Sequence, residues 1–288
     1  MVTNKVKMRL QGHEKFVLRE GWINKALMII PNAPDVFTKK NATDLFGMGN
    51  NMVKSLRYWM KAFGLTTYNS TDGTQLTPIG QLIAKYDPYL EKYFTLWIMH
   101  SCIAKNKEEA TTWYMYFNHC DADELEKREI EAIVLREVEK YAQGKKFSER
   151  SLNNDIDTIL NMYSKNKENV DPEEKNICPF TSVGLVKNTD GKYAKCHPSK
   201  KIFSEMIVLY ELALLEKREN GISIEDVIFG DNGLANIYNL TSVMVNEILD
   251  KLDDAGYIKV DRTAGLDMIY FIREIESTEV IEEYYRNY

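Results

Sequence analysis

The sequence predicts a mainly helical α+β protein with small β wings, assembled from several winged-helix (helix-turn-helix) units. Apolar residues recur at helical spacing through most of the chain. Twice a run of helices is followed by a hairpin signal, which is the winged-helix order. The 288 residues, 44% of them hydrophobic, can bury a substantial core and suit two or three modules better than one. We expect a basic winged-helix domain with an aromatic helical extension at 1–120, a middle helical, winged-helix-like unit at 121–200, and an acidic winged-helix unit at 201–288.

Trp22, Ile23, Ala26, Leu27 and Ile30 mark a first helix, which Pro31 must stop because proline cannot continue the hydrogen-bond ladder. A short second helix is expected between Thr38 and Phe46, closed by Gly47-Met48-Gly49, where glycine supplies the positive φ of a tight turn. A third begins at Asn50 or Asn51 and runs to Gly64, with Val53, Leu56, Met60 and Phe63 on its buried stripe and Trp59 beside them. Leu65 to Tyr68 and Thr74 to Thr77 flank the turn signal Ser70-Thr71-Asp72-Gly73 and read as a two-stranded wing. The aromatic run from Pro78 to Asn118 reads as helices packed on this unit, with core packing favoured over a base-stacking surface. His100 is expected there as a core or boundary residue.

A helix opening in the charged stretch Asp121 to Arg128 carries Ile130, Ile133, Val134, Val138 and Tyr141, and another runs through Ile156, Ile159, Leu160 and Tyr163. The polar stretch Ser164 to Asn176 reads as a loop, and Asn188-Thr189-Asp190-Gly191 as a hairpin turn. The last unit shows an apolar helix from Ile202 to Leu215, a capping-box pattern at Ser223-Ile224-Glu225-Asp226, a helix over Thr241 to Ala255, and two strands around Asp261 to Gly265.

The net charge of −6 hides an asymmetry: residues 1–120 hold 15 Lys+Arg against 9 Asp+Glu, and the remainder 22 against 34. Only the first half suits a polyanion such as DNA. Its third helix presents Asn50, Asn51, Lys54, Arg57, Tyr58 and Lys61 opposite the apolar stripe, a face able to read purine edges and hold phosphates, or simply a solvated surface. The corresponding C-terminal helix exposes Asn246, Glu247, Asp250, Lys251, Asp253 and Asp254, which would repel phosphates and suits protein contact instead. The four scattered cysteines and the lack of a signal-peptide core or an apolar run of spanning length predict a reducing, cytoplasmic home and no membrane.

Phosphate-loop, dinucleotide, zincin and paired-cysteine motifs are absent from the sequence, and Cys178, Cys196 and His197 match no zinc-finger spacing. The string Gly12-His13-Glu14-Lys15-Phe16-Val17-Leu18-Arg19 could serve a phosphodiester, with His13 or Glu14 as general base or metal ligand and Lys15 and Arg19 facing phosphate charge. The structural alternative is an N-terminal segment anchored by Phe16 and Trp22 with its polar residues outward.

Residues Gly12 to Trp22 and Gly49 to Trp59, with Leu76-Thr77-Pro78-Ile79-Gly80, Tyr86 to Glu91 and Ala110 to Tyr114, resemble the bacterial domain-of-unknown-function 4007 family. The resemblance is good over about residues 8–120 and thins afterwards, with Pro179 to Leu185 the clearest later match. It implies association with DNA phosphorothioation and antiphage defence, and its SspB-like members imply a nicking role. Expected partners are then double-stranded DNA, a cysteine desulfurase, an ATP-using sulfur-transfer protein and an ATPase. A nickase would draw on Mg2+ or Mn2+, with His13, Glu14 and Arg19 as its candidate catalytic residues. A non-enzymatic DNA-binding adaptor and a winged-helix transcriptional regulator, the latter as a homodimer, are the alternatives.

Overall fold

Pro31 does stop the first helix. In a computed structural model, which describes residues 6–164, 178–215, 221–265 and 267–288, α1 (Trp22–Ile29) passes into a single 3-10 turn at Ile30–Asn32. The second helix is shorter than the sequence suggests. Val36–Thr38 forms a 3-10 turn because the Thr38 hydroxyl donates to Asp35 O at 2.8 Å, and α2 covers only Ala42–Phe46. Gly47, at φ +60°, then reverses the chain into α3 (Asn50–Ala62). The expected stripe of Val53, Leu56, Met60 and Phe63 is buried, with Trp59 beside it. β1 (Thr66–Asn69) and β2 (Gly73–Leu76) pair antiparallel, with Thr66 opposite Leu76.

After this hairpin come α4 (Pro78–Tyr86), α5 (Tyr93–Ala104) and α6 (Thr111–His119). Thr77 caps α4 by accepting from Gly80 N at 3.1 Å. Gly80 itself has no room for a side chain, since a Cβ would meet Leu65 O at 2.3 Å. α5 and α6 are apolar nearly all round and form the aromatic core with Trp97, Trp113, Tyr116 and Phe117, as the sequence reading of Pro78 to Asn118 requires. His100 is buried there, its Nδ1 2.8 Å from the Tyr163 hydroxyl.

β3 (Leu125–Glu126) precedes α7 (Lys127–Ala142), so the helix begins later than the charged stretch suggests. Glu126 and Glu129 cap each other's backbone amides and set the start. α8 (Glu149–Ser164) follows, and the loop expected beyond Ser164 lies outside the described residues. β4 (Val186–Thr189) and β5 (Lys192–Lys195) form the expected hairpin, and β5 lies centrally in a sheet of order β3-β5-β4.

The chain divides into two compact units, Met1–Cys196 and His197–Tyr288, so the stretches expected to part near residue 120 pack within one unit. In the second unit, Ser204 delays α9 to Glu205–Leu214 by accepting from Met206 N. β6 (Ile222–Ser223), α10 (Ile224–Phe229), α11 (Leu234–Tyr238) and α12 (Ser242–Asp254) follow. β7 (Ile258–Asp261) and β8 (Met268–Phe271) complete a sheet of order β6-β8-β7, and α13 (Ser277–Asn287), not anticipated from the sequence, packs on α9. Among the described residues no helix is long and apolar enough to cross a membrane.

Candidate nucleic-acid interface

The amphipathic period of α3 leaves Asn50, Asn51, Lys54, Arg57 and Lys61 exposed, as the sequence places them. Tyr58 is the exception. It is 2% exposed, because the N-terminal segment crosses it so closely that a Cβ on Gly12 would lie 2.3 Å from its ring. Burial, and then the charge of Asp155, push the Tyr58 hydroxyl well above its ordinary range, so it remains protonated. It serves as floor and not as an outward contact.

That floor belongs to a groove of about 470 Å³ lined by Arg9, Glu14, Lys54, Arg57, Tyr58, Lys61 and the hairpin residues Thr66, Thr67, Tyr68 and Thr74. Four cations thus face one carboxylate on its walls. Arg57 lies 5.4 Å from the centre of the exposed Tyr68 ring and joins the helix to the hairpin, while the Arg9 guanidinium lies 5.1 Å from that of Tyr58. Lys54 reaches Asn51 Oδ1 at 3.5 Å. Arg9 and Lys61 converge on Glu109, at 3.0 and 2.5 Å.

The N-terminal wall is held from beneath. Asp155 of α8, 1% exposed, accepts from Gln11 N at 2.8 Å and from the Thr112 hydroxyl at 2.6 Å, and its Oδ1 lies 2.8 Å from His13 Nε2. The other His13 nitrogen lies 3.4 Å from the Thr158 hydroxyl, and the ring stacks on Trp59 with centroids 5.8 Å apart. His13 is therefore an internal anchor, 0% exposed, and not a base open to solvent.

The three candidate catalytic residues do not converge. Glu14 is exposed at the groove with φ +50°, whereas Arg19 lies over the rings of Phe16 and Trp22, 5.9 and 5.7 Å from their centres, outside the groove lining. Lys15 is exposed but does not line the groove either. No group of three His, Cys, Asp or Glu side chains suited to a metal occurs among the described residues. Glu14 is the one carboxylate on the groove lining, and Glu109, outside that lining, is already paired with two cations, so these residues do not build a cage for Mg2+ or Mn2+. None of the four cysteines forms a disulfide among the described residues.

Arg9, Glu109 and Asp155 belong to or support the candidate site and escape the sequence reading. Asp155 carried a local signal: it sits with Leu152, Ile156 and Ile159 at helical spacing, so a carboxylate occupies an apolar stripe. Arg9 and Glu109 carried none, because they meet across 100 positions of chain.

The family model described as "Protein of unknown function (DUF4007)" matches residues 10–285. The chain belongs to that family. The match extends well past the stretch 8–120 over which the resemblance is easy to read in the sequence. A crystal structure of SspB with bound magnesium ion superposes with a TM-score of 0.81 at 22% identity, covering 96% of this chain and 88% of that one. A second SspB crystal structure gives 0.80 at 23% identity with the same coverage. At these identities the likeness is one of fold, and the fold is SspB-like. No curated protein matches the chain.

Proposed function

We propose that this chain is a DNA-binding component of a bacterial DNA phosphorothioate modification and antiphage defence system, acting as an adaptor that seats modification enzymes on duplex DNA. The order of short helix, glycine turn, helix and hairpin in residues 42–76 we take as a winged helix, with α3 as its groove-facing helix. The observation that carries the reading is the groove itself: Arg9, Lys54, Arg57 and Lys61 converge beside an exposed tyrosine on a chain whose net charge is −6. An acidic protein that concentrates cations in one concave place has built a site for a polyanion there. Asn50 and Asn51 at the start of α3 are the side chains suited to base edges, and the cations are suited to phosphates.

The adaptor reading is preferred to a nickase because His13 is buried and Arg19 is turned away, which leaves no assembled acid, base and phosphate-stabilising set in the groove. The SspB likeness supports the phosphorothioation setting, and with it a cysteine desulfurase, an ATP-using sulfur-transfer protein and an ATPase as partners. The acidic second unit is the surface offered to them.

Fluorescence anisotropy with a labelled duplex over a KCl series tests the binding. Wild type should bind with an affinity that falls steeply with salt, and Lys54→Glu with Arg57→Glu should abolish most of it. Salt-independent or absent binding by the wild type would remove the DNA reading. A supercoiled-plasmid assay with Mg2+ or Mn2+ tests the adaptor role: plasmid that stays supercoiled supports it, and open-circle product that Glu14→Ala abolishes would restore the nickase.

A further inference from the structure

The four cations of the groove are not equally available. Lys54 and Arg57 have no carboxylate partner among the described residues, whereas Arg9 and Lys61 both grip Glu109. Glu109 is held in place for this. Its backbone N–H donates to Asn106 Oδ1 at 3.0 Å, and Asn106 Nδ2 donates to Ala62 O at 3.2 Å, fixing the turn before α6 to the end of α3. Arg9 N donates to Thr111 Oγ1 at 3.0 Å, fixing the N-terminal segment to the same turn. Burial acts to raise the Glu109 carboxyl, but the hydrogen bonds and charges of Lys61 and Arg9 outweigh it and hold the group below its ordinary range. It is ionised at neutral pH, and an ionised carboxylate held by a guanidinium and an ammonium presents oxygens much as a phosphate does.

We propose that Glu109 is an internal substitute for a backbone phosphate: it occupies Arg9 and Lys61 in the free protein and yields them to the duplex. The proposal rests on the groove being a DNA interface. Its consequence is a handicap on non-specific binding. Taking hold of DNA through Arg9 and Lys61 exchanges two ion pairs and strands a carboxylate, which takes up a cation as the phosphates shed theirs. Only Lys54 and Arg57 then contribute fully to affinity and salt dependence. Glu109 is a positioning residue that acts through its two cations.

The test is Glu109→Gln, which keeps the shape and the hydrogen-bonding atoms, in the same anisotropy series with a duplex of arbitrary sequence. Removing the charge should tighten binding roughly five- to tenfold at low salt and steepen the log–log salt slope by up to about 1.8, or about 0.9 for each released contact. In an Arg9→Gln and Lys61→Gln background the same substitution should have no effect. A residue that merely supported the fold would weaken binding and leave the slope alone. Unchanged or weaker binding by folded Glu109→Gln, while wild type binds normally, overturns the proposal and leaves the DNA reading standing. Wild type that does not bind ends both. Should Glu109→Gln melt early, 13C titration of the Glu109 carboxyl in wild type decides. Its pKa should rise when duplex saturates the protein, and a value that stays low overturns the proposal.

Discussion

α3 and α12 are each thirteen residues long and each leads into a two-stranded hairpin, yet they treat charge in opposite ways. On α12 the acidic groups collect the nearby cations: Arg262 meets Asp250 at 2.7 Å and Asn246 at 2.9 Å, Lys259 meets Asp253 at 3.2 Å, and Lys200 meets Glu247 at 2.5 Å. The Val260 amide, and then Lys259, hold the Asp253 carboxyl below its ordinary range. On α3 the cations Lys54 and Arg57 have no carboxylate partner among the described residues, and the hairpin contributes an aromatic ring to Arg57. The same order of elements therefore yields one helix face with two cations unmatched by carboxylates among the described residues and one whose carboxylates are largely matched by cations. Charge placement along the helix decides which, and element order does not.

The comparison is sharpened most by what lies under each helix. Asp155 supports the basic groove much as Glu211, 2.5 Å from the Tyr238 hydroxyl, lies buried in the acidic unit. Asp155→Ala strands three donors or polar groups at once, at Gln11, His13 and Thr112, and should cost about 3–5 kcal/mol in chemical denaturation. A loss below about 1 kcal/mol would mean the N-terminal wall is held by something else. Next comes the double reversal Lys54→Glu with Arg57→Glu, expected to weaken duplex binding about a hundredfold, or about 2.7 kcal/mol. Reversing Asp250 and Asp254 to Lys on α12 should change binding by less than about twofold if only α3 touches DNA. A comparable gain there would show that the acidic unit is close enough to repel the duplex.

Gly12→Ala drives a methyl into Tyr58 and should cost about 1–3 kcal/mol, read as a lowered melting temperature together with weaker binding, because the wall carrying Arg9 must shift. Equal binding would separate the wall from the interface. Smallest is Arg262→Ala, which breaks a half-exposed pair and should change stability by less than about 1 kcal/mol.

Local pattern carried much of the fold. The stripe of α3, the stop at Pro31 and the hairpins at Asp72-Gly73 and Asp190-Gly191 follow from residues within one or two turns of one another. The helix starts displaced from expectation were displaced by caps that act over two or three positions, at Ser204 and Glu126. The site was legible only where it is local. Lys54, Arg57 and Lys61 follow from the period of one helix, but Tyr58 is turned from surface to floor by Gly12, and His13 from reactive candidate to anchor by Asp155. No periodicity within a segment announces a partner more than 40 or 140 positions away.

The anchoring of Gln11 and His13 by Asp155 also has a meaning in time. The support of the wall that carries Arg9 lies 144 positions behind Gln11, so at 5–20 residues per second roughly 7–30 s of synthesis separate the two. A nascent chain in that interval presents the cations of α3 but has no finished groove. Completion of the groove is thereby deferred until most of the first unit is synthesised.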